Sequence, residues 1–138
     1  MRYCPDASVT LAWLLADQRS EAVAAFWVGL TTSDELIAPM LLLAECTSVL
    51  RTRAFNGALT HNDAMELLAQ MLELPIRVSD KPAQFLRAME ISNGTKRAKA
   101  YDMQYVAVAE AESAEIVTLD AGIRQAALEL RLPVRLLR

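Results

Sequence analysis

The chain has 138 residues, 54% hydrophobic and 22% charged, with 17 Asp and Glu, 14 Lys and Arg and one His, for a formal net charge of -3. That fits a single domain over residues 1–138, able to bury roughly 70% of the surface its unfolded form exposes, and it argues against disorder. The small negative balance counts only weakly against a nucleic-acid partner: without the four acids singled out below, 13 acidic residues stand against the 14 basic ones.

Arg2 to Pro5 reads as a strand, followed by a helix from about Ser8 to Ala16 with Asp6 or Ser8 placed to cap it. Glu21 to Leu30 is helical. Leu36 to Ala38 is a short strand before Pro39, which suits the first turn of a helix over Met40 to Phe55 that Asn56 and Gly57 end. Thr60 and Asp63 bracket the start of a helix over Asn62 to Leu74, and a strand follows near Ile76 to Val78. Pro82 opens a helix to about Ile91. Ser92 to Ala100, with Asn93, Gly94 and the basic run around Lys96, Arg97 and Lys99, reads as a loop or frayed end. Asp102 to Ser113 is a helix apolar on nearly every side, hence largely buried. Ile116 to Leu119 is a strand ending at Asp120, then come a helix over Ala121 to Leu130 and a last strand over Val134 to Leu137.

Strands separated by helices imply parallel pairing and a helix-covered α/β sandwich. No apolar stretch approaches the roughly 20 residues needed to span a bilayer, and no basic segment precedes an apolar run at the N-terminus, so the expected location is cytoplasmic. Cys4 and Cys46 lack CxxC spacing and are too few for a disulfide framework; both are expected as reduced thiols in or near the core. The hydrophobic excess leaves room for an apolar surface that meets a partner.

In open parallel sheets, ligands bind beyond the carboxyl ends of the strands. Asp6 and Asp120 stand at such ends, though each alone is also explained as a helix cap. Asp102 has the same alternative. Glu45 falls at the border between the apolar side of Leu42, Cys46 and Val49 and a polar line of Ser48 and Thr52, where a solvated carboxylate would be unremarked.

Taken together the four are specific. Asp6-Ala-Ser-Val with Leu11-Ala-Trp-Leu-Leu, Leu43-Ala-Glu45, Tyr101-Asp102-Met-Gln-Tyr-Val-Ala-Val-Ala-Glu and Val117-Thr-Leu-Asp120 resemble the four acidic motifs of the PIN-domain family, in order and approximate spacing over the whole chain. Within it, the resemblance is to VapC-type toxins, the ribonuclease halves of bacterial toxin–antitoxin pairs. It implies a three-layer α/β sandwich around a central, mainly parallel five-stranded sheet. It also implies endonucleolytic cleavage of RNA with Mg²⁺ or Mn²⁺ held by Asp6, Asp102, Glu45 and Asp120, with hydroxyls from Ser8 and Thr118. A cognate antitoxin, docked on a groove of the helices that carry Trp13, Phe26 and Trp27, and a homodimer follow from the same resemblance. Pro5 departs from the pattern, because it removes a ladder donor just before Asp6.

The chemistry agrees with the motif. Clustered carboxylates repel one another and need a cation to stay ionised together, and a hard divalent cation takes oxygen ligands. For RNA contacts the candidates are Lys96, Arg97 and Lys99, next to Asp102 in sequence, and Arg51 and Arg53 on the Glu45 helix; all can equally be solvated surface charges. One histidine excludes a two-histidine ribonuclease and makes a Ser-His-Asp triad improbable, and a zinc site is poorly served by one His and two separated Cys. No glycine-rich phosphate loop is present. A phosphoacceptor receiver-like domain would need an adjacent acidic pair near the first strand and a Lys after a late strand, which the chain lacks. The remaining alternative is a PIN-like interaction module without catalysis.

Overall fold

Residues along each strand alternate between two apolar layers, as the two-residue repeat of a strand requires. Tyr3, Leu36 and Val117 face one layer with Val9, Val23, Phe26 and Trp27, while Cys4, Ile37 and Ile116 face another with Met103, Val106 and Ile123. The computed structural model, which describes residues 1–138, builds these layers from β1 (Arg2–Pro5), α1 (Ala7–Leu14), α2 (Glu21–Val28), β2 (Glu35–Pro39), α3 (Leu41–Phe55), α4 (His61–Glu73), β3 (Ile76–Ser79), α5 (Pro82–Gly94), α6 (Met103–Glu112), β4 (Glu115–Thr118), α7 (Ala121–Glu129) and β5 (Val134–Leu136). A short 3₁₀ turn over Ala16–Gln18 follows α1.

All strand pairings are parallel, and the order across the five-stranded sheet is β3-β2-β1-β4-β5. This is the expected α/β sheet. The chain therefore steps one way from β1 and returns to pair β4 on its other side. α1 leaves β1 to pack with α2 in the Trp27 layer, whereas α7 leaves β4 to pack with α6 in the opposite layer. Connections that diverge to opposite faces open a crevice at the carboxyl ends of two neighbouring strands. Helices in such units run antiparallel to the strands, so α6, which enters β4, has its N-terminus at the same end. α3 and α4 pack on one another and on α1. No helix is long and apolar enough to cross a membrane.

Three local expectations are corrected. Pro39 ends β2 rather than opening a helix: it pairs in register with Ser79, and its missing amide falls where the strand stops. α5 continues through Asn93 and Gly94, because its last turn is secured by Ser92 and Thr95, whose hydroxyls donate to the Ala88 and Ile91 carbonyls at 2.8 and 2.7 Å, with Ile91 and Ser92 buried. The left-handed residue that breaks the path is Lys96, at φ 55°, not the glycine. Asp102 sits in the cap position of α6, but its backbone is helical and its carboxylate caps nothing.

Pro5 causes no break at the site. It is the last residue of β1, and the Asp6 amide resumes the ladder by donating to the Val117 carbonyl at 3.1 Å.

Candidate active site

Asp6 is 3% exposed at the head of α1. Its Oδ1 accepts from the Val9 amide at 3.1 Å, which caps the helix, and from the Ser8 hydroxyl at 2.5 Å; its Oδ2 accepts from the Thr118 hydroxyl at 2.5 Å. The two hydroxyls reach onward, since Ser8 Oγ accepts from the Leu119 amide at 3.0 Å and Thr118 Oγ1 from the Asp120 amide at 2.9 Å. The ends of β1 and β4 are thus tied by two hydroxyl relays that converge on one carboxylate. Asp120 caps α7 through Oδ1, which accepts from Gly122 and Ile123. For both residues the capping explanation holds, and it does not compete with a place in the site.

Glu45 lies half-buried one turn into α3, where its Oε1 accepts from the Tyr105 hydroxyl at 2.7 Å. Tyr105, on α6, is a partner of the candidate site that the sequence reading missed. A tyrosine inside an otherwise apolar buried helix needs a hydrogen-bond partner for its hydroxyl, and that was the available signal. Asp102 presents a carboxylate without a hydrogen bond within the chain, at the mouth of α6.

The four acids bear on one another in a ring. Asp120 repels Asp6 and Asp102, and Glu45 feels the charges of Asp102 and Asp6. Burial is the largest cause that raises Asp6, Glu45 and Asp102 above the ordinary carboxylate range, and this repulsion adds to it. Opposing it are the Ser8, Thr118 and Val9 donors at Asp6, the Tyr105 hydroxyl at Glu45 and the Arg97 guanidinium near Asp102. Burial, followed by the charges of Glu45 and Asp6, pushes the Cys46 thiol up to about 12, and Cys4 is raised chiefly by burial; both thiols are free, buried and unreactive as nucleophiles.

Of the basic candidates, Arg97 comes to the site. Its guanidinium donates to the Gly122 carbonyl on the first turn of α7, and a Cβ at Gly122 would stand 3.3 Å from its Nη1. Its Nε is buried without a partner. Lys96 and Lys99 are exposed on the same loop. Arg53 instead pairs with Asp17 at 3.2 Å, and Arg51 lies over the Phe55 ring, 5.6 Å from its centroid.

The donor set, four carboxylates with hydroxyls and no paired His or Cys, is that of a hard divalent cation. No three acidic, His or Cys side chains converge closely enough, as they stand, to hold an ion alone. Such ions commonly take one or two carboxylates and complete their shell with water and substrate phosphate oxygens, and that arrangement fits here.

Acids at the carboxyl ends of β1 and β4 of a parallel sheet agree with the family motifs, and the chain belongs to the PIN-domain family: the PIN domain profile matches residues 3–129. Among solved structures, it is similar to VapBC2 from Rickettsia felis bound to a DNA fragment from their promoter, at a TM-score of 0.77 and 12% identity with both chains fully covered. VapBC-1 from nontypeable Haemophilus influenzae gives a TM-score of 0.70 at 18% identity, covering 99% of this chain and 98% of that one. Mycobacterium tuberculosis VapC20, a Sarcin-Ricin loop cleaving toxin, gives 0.70 at 19%, covering 90% and 94%. No curated protein matches the sequence.

Proposed function

We propose that the protein is a metal-dependent endoribonuclease, the toxin of a toxin–antitoxin pair, that hydrolyses RNA phosphodiester bonds at Asp6, Glu45, Asp102 and Asp120. The observation that carries this reading is a PIN fold in which the Thr118 hydroxyl joins Asp6 to the Asp120 amide at the ends of β1 and β4, while Glu45 and Asp102 line one open cleft. Folding concentrates negative charge there, and Mg²⁺ or Mn²⁺ would balance it. When bound, the cation would lower the pKa of a water and offset charge on the reacting phosphorus. Asp102 and Glu45 have oxygens free to turn toward it. Asp6 is held in place by Ser8 and Thr118, and Asp120 contributes the oxygen not used in capping. Arg97, Lys96 and Lys99 add positive charge for the RNA backbone beside the acids, with Arg51 and Arg53 further along α3.

The similarity to toxin–antitoxin proteins supports an antitoxin partner. Its proposed seat is the side of α1 and α2, where Trp13 and Trp27 stack at 5.9 Å and line, with Leu30, Leu36 and Leu74, a cavity of about 560 Å³. An antitoxin Arg or Lys reaching the acids would block the site. A homodimer has its support in α5, whose Phe85, Leu86 and Met89 are 54%, 71% and 70% exposed on successive turns. Leu86→Asp should convert a dimer to a monomer in light scattering; a dimer that survives the change excludes this face.

The test of the main reading is incubation of the purified chain with a labelled single-stranded RNA, in Mg²⁺ or Mn²⁺ and in EDTA. Internal cuts that need metal are the expected result. Absence of cleavage on every RNA tried would favour an interaction module instead.

A further inference from the structure

Glu45 and Asp102 line an open cleft of about 360 Å³ together with Leu41, Ala44 and Ser48 on α3 and Tyr101 just ahead of α6. Leu41, Ala44, Glu45 and Ser48 are spaced i, i+3, i+4 and i+7, so they are one face of one helix. The same cleft is lined by an aromatic residue. Tyr101 is 61% exposed, while Tyr105 is buried and Tyr3 lies edge-on to Phe26. The paired and cation-covered rings of the chain are those of Tyr3, Trp13, Phe26, Trp27 and Phe55; Tyr101 is stacked on nothing.

A phosphate brought to the acids must place an adjoining nucleoside beside them, and the cleft is an open volume that Glu45 and Asp102 line. Its size falls in the range of small-molecule sites. Only an unpaired base can enter, because the faces of bases in a duplex are covered by their neighbours. An exposed aromatic face against an aliphatic wall is the surface on which such bases stack, and an exposed serine hydroxyl on the same wall can bond a base edge.

We propose that Tyr101, with the Leu41, Ala44 and Ser48 face of α3, forms a stacking subsite for the unpaired RNA base next to the bond that is cut. The subsite rests on the ribonuclease reading above and deepens it, by assigning the substrate as single-stranded at that position and Tyr101 as a positioning residue there. The acids act on the phosphate, and the ring fixes which nucleotide lies beside it.

The test compares wild type, Tyr101→Ala, Tyr101→Phe and Tyr101→Trp on an unstructured RNA pool with Mn²⁺, reading kcat, KM and the base found beside each cut. Tyr101→Ala should raise KM about tenfold or more and flatten the base distribution at that position, while Phe and Trp stay within about threefold of wild type. Because Tyr101 is exposed, all four proteins should share one melting temperature, which separates loss of the ring from loss of the fold. An Ala variant with unchanged KM and base distribution overturns the proposal, as does a Phe variant as impaired as Ala. An Ala variant that changes oligomeric state but not KM would make this face a protein contact instead. Wild type that cuts no RNA would sink the ribonuclease reading itself and the subsite with it.

Discussion

Thr118 serves two neighbours at once, donating to Asp6 Oδ2 and accepting from the Asp120 amide, with no exposure to solvent. Thr118→Val keeps the shape but strips a donor from a buried carboxylate and an acceptor from an amide, which should cost about 1–3 kcal/mol. A lowered melting temperature with weakened RNA cleavage is the expected outcome; unchanged values in both would show the relay to be dispensable. Asp6 and Asp120 were legible from sequence as acids at strand-to-helix junctions, where a helix cap accounts for each alone and only the family motifs joined them to a site. Glu45 was not legible by periodicity, and its assignment came from the family motif. Its partner Tyr105 lies 60 residues away, a pairing that no local pattern encodes. Arg97 was one of several equivalent bases in sequence, and only folding sets it on the Gly122 carbonyl.

At the scale of elements, strand and helix boundaries followed their punctuation. Thr60 accepts from the Asp63 amide at 3.0 Å and starts α4 as a cap residue should, and Gly57, at φ 80°, takes the left-handed position after α3. Thr60→Ala should remove about 1 kcal/mol of stability without altering cleavage, measured by urea unfolding; an unchanged midpoint would show that α4 is held by packing alone. Where the reading fell short, the reason was tertiary. Buried contacts of Ile91 and Ser92 carry α5 past the asparagine and glycine that looked like its end. Asp102 has the residue type of a cap, yet the helical backbone at its position points the carboxylate away from the amides it would have served.

Over the whole molecule, the stability of the metal-free protein should carry the mark of the acidic ring. Asp6, Glu45 and Asp102 have folded-state values raised above those of an unfolded chain, roughly 4, so between the two values the folded state holds more protons. Stability then falls as pH rises through that window, and it recovers as acid neutralises the ring. Glu110 beside Arg87, and Glu112 beside Arg77, are lowered and work the other way, losing their contribution only below the ordinary carboxylate range. The metal-free melting temperature should therefore rise as pH drops through that window, and fall again below the ordinary carboxylate range. Saturating Mn²⁺ should raise it at neutral pH and flatten the upper limb. A melting temperature indifferent to Mn²⁺ would count against a cation site.

The most direct measurement is the RNA cleavage rate of Asp102→Asn beside wild type at saturating Mn²⁺. The Asp102 carboxylate makes no hydrogen bond in the chain, and burial and the Asp120 charge outweigh its attraction to Arg97, so on substitution the melting temperature should stay level or rise. The account predicts a rate at least about a hundredfold lower in a protein that folds as well as wild type, a loss of the size seen when one preorganised electrostatic group is removed. Equal cleavage by the two proteins would contradict the assignment of the four acids as the catalytic site.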